Sequence, residues 1–138
     1  MFSQLNINKY FIEELTIKKN PKFSKENSVE GEIFVDFDIY KNSNNPLVYK
    51  IPMIISVRAY PNSPYGIDTR IIGIFSYQEG TNRAYIEKTI NLNAPSILYG
   101  IIRGVICEIT ANFENGKFIL PAVNFIEILK NKVSKRKH

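Results

Sequence analysis

The chain has 138 residues, of which 44% are hydrophobic and 22% charged, a composition that is typical of one globular domain and excludes collagen-like, low-complexity and disordered proteins. Its single cysteine, Cys107, excludes an intrachain disulfide, a two-cysteine redox motif and a cysteine-rich zinc site, so we expect a reducing, cytoplasmic compartment. Five of the 18 basic residues lie within residues 130–138 and the remaining 13 balance the 13 acidic residues, so the net charge of +5 resides in the C-terminus.

Two strands with alternating apolar residues are predicted in the first third of the chain. The first spans Phe11 to Lys18, ends before Asn20-Pro21, and has one apolar face made of Phe11, Leu15 and Ile17. The second, from Glu32 to Tyr40, has the clearest period of two in the chain, and one of its faces carries Ile33, Val35, Phe37 and Ile39. Both strands are therefore expected to be half-buried.

Two more strands follow, separated by turns rich in Asn, Pro, Ser and Gly. Leu47 to Tyr60 forms the third, in which Pro52 requires a bulge or a sheet edge. Ile67 to Tyr77 forms the fourth. Four strands with short connections predict an antiparallel meander.

Helical spacing begins after Gly80, weakly from Arg83 to Ile90 and strongly from Pro95 to Phe113. Asn93 or Ala94 is the predicted cap of the long helix, with Pro95 in its first turn. A shorter helix is predicted from Asn124 to Asn131. The predicted fold is thus α+β, a four-stranded antiparallel sheet followed by C-terminal helices, with one domain over residues 1–130 and a flexible basic tail over 131–138.

The long helix carries more apolar surface than one sheet needs. Its large apolar residues occupy an arc of roughly 180°, against the stripe of about 100° of an ordinary surface helix. Small residues form a strip on the remaining side. This pattern predicts oligomerisation through the helix, and the alternative is that the strip packs under a loop or the last helix. The predicted oligomer interface comprises Ile97, Ile101, Gly100, Gly104, Cys107 and Ala111.

The sequence offers no site for catalysis, a cofactor or a metal. The sole histidine is His138, the last residue, and Cys107 has no histidine partner. Neither the P-loop nor the dinucleotide glycine spacing occurs. The N-terminus lacks the pattern of a secretory signal, and the apolar segment from Ala94 to Phe113 carries Arg103 and Glu108, so we expect no membrane insertion. We predict a non-enzymatic protein.

Three stretches carry a family resemblance: Gly73-Ile74-Phe75, the segment from Asn93 to Tyr99 with Arg103, and the segment from Leu120 to Phe125. Over about residues 10 to 130 they resemble the SecB family, the bacterial protein-export chaperones and their SecB-like relatives. The resemblance implies an ATP-independent holdase that binds unfolded proteins and pairs into dimers and tetramers through the long helix. It also implies a groove that binds these client proteins. The positions that line the groove fall here on Ile33, Val35, Phe37, Phe75 and Phe125.

Members of the family deliver clients to the SecA motor through acidic residues on the sheet, while others protect an antitoxin of a toxin-antitoxin module. The acidic positions fall here on Glu14 and Asp68, whereas Lys18 and Gly66 depart from the family pattern. The implied partners are therefore unfolded clients, with SecA or an antitoxin as specific candidates. Two alternatives remain: a nucleic-acid-binding accessory protein that uses the basic tail, and a structural subunit of a fixed complex.

Overall fold

The computed structural model describes residues 4–26 and 32–136. Five strands are followed by two helices: β1 (Leu5–Lys19), β2 (Ile33–Phe37), β3 (Tyr40–Lys41), β4 (Val48–Val57), β5 (Tyr65–Tyr77), α1 (Arg83–Thr110) and α2 (Phe125–Arg136). All strand pairs are antiparallel, in the order β1-β5-β4-β2, and β3 pairs with β4 beside β2. The predicted α+β class is confirmed, with β3 added to the four predicted strands.

The meander prediction is correct for β2, β4 and β5 and wrong for β1, which pairs with β5 at the far edge of the sheet. The residues directly after β1 are tied to the β4–β5 connection. Asn20 donates its side-chain amide to the Ala59 carbonyl (3.1 Å) and to the Ser63 carbonyl (2.8 Å). Asn20 therefore connects the chain after β1 to the β4–β5 connection, whereas the sequence pattern indicated only the end of a strand at this position.

Strand β1 contains two bulges, and the second changes which of its side chains face the core. The register shifts between Ile12, opposite Ile71, and Glu14, opposite Arg70. As a result Ile12 packs with Leu15 and Ile17 against the core, while Phe11 lies on the other face and is 40% exposed. The prediction that Phe11 shares the face of Leu15 and Ile17 is wrong, because an inserted residue reverses the alternation.

Helix α1 is one continuous helix that begins twelve residues before the predicted start, and Asn82 caps it by accepting a hydrogen bond from the Ala84 N–H at 2.7 Å. Pro95 lies inside it. Tertiary packing explains why the helix continues through Pro95, since one ridge at i, i+4 spacing is buried along its whole length. That ridge consists of Ile86, Ile90, Ala94, Leu98, Ile102, Ile106 and Thr110.

Within the described part of the chain, α1 is the one helix long and apolar enough to cross a membrane, with a mean hydropathy of 1.3 over 18 residues. In this fold its buried ridge packs on the inner face of the sheet. The fully buried residues there include Ile51, Met53, Ile55, Ile67, Ile71, Phe75, Leu98, Ile102 and Ile106. A helix with this packing serves as the core helix of the domain.

Helix α2 begins after Asn124, whose Oδ1 accepts a hydrogen bond from the Glu127 N–H at 3.2 Å, so the predicted cap is confirmed. The helix extends to Arg136, five residues beyond the predicted end. Residues 131–136, assigned from the sequence to a flexible tail, therefore continue the helix, while residues 137–138 lie outside the described residues. The domain boundary at residue 130 stays a prediction.

Candidate functional site

A groove of about 630 Å³ runs between the edge strand β2 and helix α2. Its apolar lining comes from Ile33 and Val35 of β2, and from Val123 and Ile128 on the other side. Its polar lining consists of Asp36, Asp38, Asn124, Glu127, Asn131 and Lys132. A groove with an apolar floor and a charged rim can bury apolar side chains of a bound polypeptide while its polar groups stay hydrated.

The backbone of β2 has a free edge on the groove side. Arg58 donates its N–H to the Glu32 carbonyl (3.0 Å) and Asp38 donates its N–H to the Pro52 carbonyl (3.1 Å), so even-numbered residues pair with β4. By the antiparallel alternation, the N–H and C=O groups of Ile33, Val35 and Phe37 point away from β4. No strand lies beyond β2 among the residues that the structure describes.

Lys132 of α2 contacts the C-terminal end of the free β2 edge. Its ammonium lies 2.9 Å from Asp36 Oδ1 and 3.4 Å from Asp38 Oδ1, and it also donates to the Phe37 carbonyl. The Nζ atom stands 5.0 Å from the centre of the Phe37 ring, within the range of a cation–π contact. Together these contacts fasten α2 to β2.

An aromatic cluster behind the groove supports the same attachment. Phe125 makes edge contacts with Phe37, at 5.9 Å between ring centres, and with Tyr99 of α1, at 5.7 Å. The Tyr99 hydroxyl donates to the Pro121 carbonyl at 2.5 Å. Burial of its hydroxyl raises the pKa of Tyr99 to about 12, against the smaller lowering effect of Arg103. The tyrosine therefore remains a neutral donor.

The predicted groove residues fall into two groups. Ile33 and Val35 are half-buried and line the groove, as does Phe34, which the sequence analysis did not select and which is 59% exposed. Phe37 (3% exposed) and Phe125 (7%) are buried behind it. Phe75 is fully buried under α1, so its assignment to a client surface is corrected: it faces the core because it lies on the helix-facing side of β5. The sequence analysis selected neither Val123, which precedes α2, nor Ile128 within α2.

Residues 2–136 match the family described as preprotein translocase subunit SecB. The chain belongs to the SecB family. Protein MJ0357 of Methanocaldococcus jannaschii is 24% identical over 133 residues, covering 92% of this chain and 83% of that protein. The fold is shared with the SecB-like chaperone Rv1957 of Mycobacterium tuberculosis, which was solved in complex with a ChAD peptide from the Rv1956 HigA1 antitoxin. The two structures superpose with a TM-score of 0.66 at 9% sequence identity, over 88% of this chain and 91% of that one. Membership of the SecB family supports a chaperone role.

The positions implied for SecA contact lie on the sheet face opposite the helices, on neighbouring strands. Glu14 of β1 lies opposite Arg70 of β5, and Asp68 of β5 lies opposite Thr16 of β1. Ser56 donates its hydroxyl to Asp68 Oδ1 at 2.6 Å. The surroundings carry mixed charge, because the Arg70 guanidinium pairs with Glu13 at 2.7 Å and Lys18 stands on the same face. Glu14 and Asp68 keep the acid that the resemblance implies, whereas Lys18 stands where an acid is implied and Gly66 where a leucine is implied.

The small-residue strip of α1 lies on the exposed side of the helix. Ile97 is 40% exposed, Gly100, Gly104 and Ala111 are exposed, and Ile101 and Cys107 are half-buried. A Cβ added at Gly100 or Gly104 would meet nothing within 4 Å. The alternative that this strip packs under a loop or under α2 is therefore not observed within the described residues. The interface itself stays a prediction.

Within residues 4–26 and 32–136, no group of three or more His, Cys, Asp or Glu side chains could hold a metal ion. Asp36 of β2 and Asp38, just after β2, face Lys132 instead. The chemistry available at the groove is thus burial of apolar groups and backbone hydrogen bonding along β2.

Proposed function

We propose that this SecB protein is an ATP-independent holdase that binds unfolded or aggregation-prone polypeptides in the groove between β2 and α2. The observation that carries the proposal is the free backbone edge of β2 beside an apolar groove. An extended client segment can donate and accept hydrogen bonds along Ile33 and Val35 and place alternate side chains in the groove. Because this binding uses apolar and backbone contacts alone, it needs no nucleotide.

One groove is too small for tight binding. Burying three apolar anchors contributes roughly 5 to 9 kcal/mol, while association costs about 4 to 15 kcal/mol. Several grooves acting on one long client raise the effective affinity by avidity. We therefore infer a homo-oligomer, a dimer or a dimer of dimers, assembled through the exposed strip of α1 with Gly100 and Gly104 at its centre.

The clients that we favour are dedicated ones such as an antitoxin. The mixed charge around Glu14 and Asp68 weakens the case for delivery to SecA, because Lys18 and Arg70 stand among the acids. Copurification of one stoichiometric partner encoded beside this gene would support a dedicated client. A broad set of partners would support a general export chaperone instead. We place the protein in the cytoplasm, where its single cysteine stays reduced.

The test is suppression of light scattering by a thermally unfolded client without nucleotide. Val35→Asp and Ile33→Asp should abolish protection, because each places a carboxylate in the apolar lining. Ile119→Asp, at a 56% exposed position outside the groove lining, is the matched control and should protect like the wild type. Full protection by both groove variants, with their folding verified by circular dichroism, would refute the groove assignment.

A further inference from the structure

The sheet face turned away from α1 and α2 carries a basic row. In register across four strands stand Lys9 of β1, Ile74 of β5, Lys50 of β4 and Tyr40 of β3. With about 4.8 Å between neighbouring strands, the two lysines lie roughly 10 Å apart on either side of Ile74. Both lysines are exposed, and Tyr40 is 56% exposed.

An apolar row runs beside the basic one. Phe11, Ile72 and Pro52 are in register on β1, β5 and β4. Phe11 is 40% exposed, whereas Ile72 is 1% exposed although α1 packs on the other face of the sheet. The two rows together form a surface of aliphatic and aromatic groups bordered by cations.

The lysines at this end of the sheet lack acidic partners within residues 4–26 and 32–136. Among the described residues, Lys9, Lys41 and Lys50 make no ion pair. The acids of this face lie toward the other end of the strands: Glu14 lies opposite Arg70, Glu13 pairs with the Arg70 guanidinium, and Asp68 accepts a hydrogen bond from Ser56. A concavity of about 410 Å³ next to the basic row includes Lys41 and Lys50 in its lining, together with Tyr40 and Ile74.

We propose that the surface around Lys9, Ile74, Lys50 and Tyr40 binds an extended acidic segment of a partner protein, in which carboxylates alternate with apolar side chains. The carboxylates would pair with Lys9, Lys41 and Lys50, and the apolar side chains would cover Ile74 and Phe11. This surface is separate from the groove between β2 and α2, and it does not depend on the proposed holdase function.

The composition of the surface favours a polypeptide over the other occupants. Single-stranded nucleic acid is held by aromatic platforms along a basic channel, and here the side chain between Lys9 and Lys50 is the aliphatic Ile74. A second copy related by two-fold symmetry would bring lysines against lysines, which is repulsive. An acidic, partly apolar segment satisfies both the cations and the exposed apolar groups.

The test uses a fluorescent peptide of about ten residues that alternates Glu with Leu and Phe, titrated by anisotropy with the full-length protein. The double variant K9E/K50E should bind it at least about tenfold more weakly than the wild type, because two attractions become repulsions. K22E/K25E carries the same change in net charge at exposed positions after the end of β1 and should bind normally. Binding should weaken between about 50 and 500 mM NaCl.

Four results would overturn the proposal: equal binding by wild type and K9E/K50E, no binding at about 1 mM peptide, tighter lysine-dependent binding of a single-stranded RNA, or a changed oligomer mass in K9E/K50E. The RNA result would assign the surface to nucleic acid, and the mass change would assign it to self-association. Protection of an unfolded client, measured on the same variants, should be normal in K9E/K50E. A failure of this surface is thereby distinguished from a failure of the holdase function.

Discussion

Leu98 of α1 packs directly onto Gly73 of β5, where a side chain would not fit. A Cβ at residue 73 would stand 2.9 Å from Leu98 Cδ1 and 2.6 Å from Phe75 Cε2. An added Cβ therefore requires these two fully buried side chains to shift.

Gly73→Ala should lower the free energy of unfolding by about 1 to 3 kcal/mol, because overpacking forces the helix and the sheet apart. Urea titration measures the change. Gly66→Ala, in the same strand, is the matched control: its Cβ would meet Ala59 Cβ at 3.8 Å, an ordinary contact, so stability should stay within about 0.5 kcal/mol. Equal effects of the two substitutions would contradict the close packing at Gly73.

Gly100→Ala and Gly104→Ala should separate folding from assembly. Both positions are exposed on α1 with open space around them, so alanine should stabilise the isolated chain by up to about 1 kcal/mol each through helix propensity. If another copy approaches this strip closely, the added methyl groups should shift the assembly toward smaller species. Light scattering after size-exclusion chromatography measures the mass, and an unchanged oligomer would place the interface elsewhere.

Lys132→Met should loosen α2 by removing its ion pairs to Asp36 and Asp38 and its hydrogen bond to the Phe37 carbonyl. The expected loss is about 1 to 2 kcal/mol, between the values of exposed and buried charged contacts. Faster amide hydrogen exchange in residues 125–132 reports the change. Lys130→Met, at an exposed position of the same helix, should leave exchange unaltered. Identical exchange in both variants would show that the aromatic cluster alone holds α2.

Alkaline unfolding should depend on Tyr99. Its pKa is raised from 10.0 to about 12 by burial, so the folded state binds the hydroxyl proton more tightly than the unfolded state does. This contribution is complete below about pH 10 and is lost as the pH rises toward 12. Urea titrations at intervals between pH 9 and 12 should therefore show a shallower decline for Tyr99→Phe.

Burial also raises the pKa of Tyr49, Tyr65 and Tyr77, so part of the alkaline decline remains in Tyr99→Phe. Tyr60→Phe, at an 83% exposed position, is the control and should follow the wild-type decline. A decline that is equally steep in all three proteins would exclude a contribution from Tyr99.

Predictions based on local patterns were accurate where one periodicity continues without interruption. The period of two placed Ile33, Val35 and Phe37 on one face of β2, and all three face the helices. The same reasoning placed Phe11 on the wrong face of β1, because the pattern of apolar residues does not reveal the bulge between Ile12 and Glu14. It also placed a helix start at Pro95, since proline favours the first turn, whereas the packed ridge on both sides of Pro95 keeps the helix intact.

The candidate groove was only half predictable. The β2 side came from alternation, but the opposite side, Val123 and Ile128, lies in a non-helical segment and in α2, and their approach to β2 depends on contacts across the chain. The contacts of Lys132 with Asp36 and Asp38 link residues more than 90 positions apart. No local pattern in the sequence carries that pairing.

The sequence by itself determined the α+β class, the existence of the long helix and its surplus apolar face, because side-chain periodicity and composition are local properties of the chain. Its three motif stretches also identified the family, which the match over residues 2–136 confirmed. Only the tertiary structure decided that β1 lies at the far edge, that Phe75 belongs to the core, and that Lys132 closes the end of β2. Those outcomes follow from strand pairing and packing between distant segments, whose energies depend on shape and burial in three dimensions.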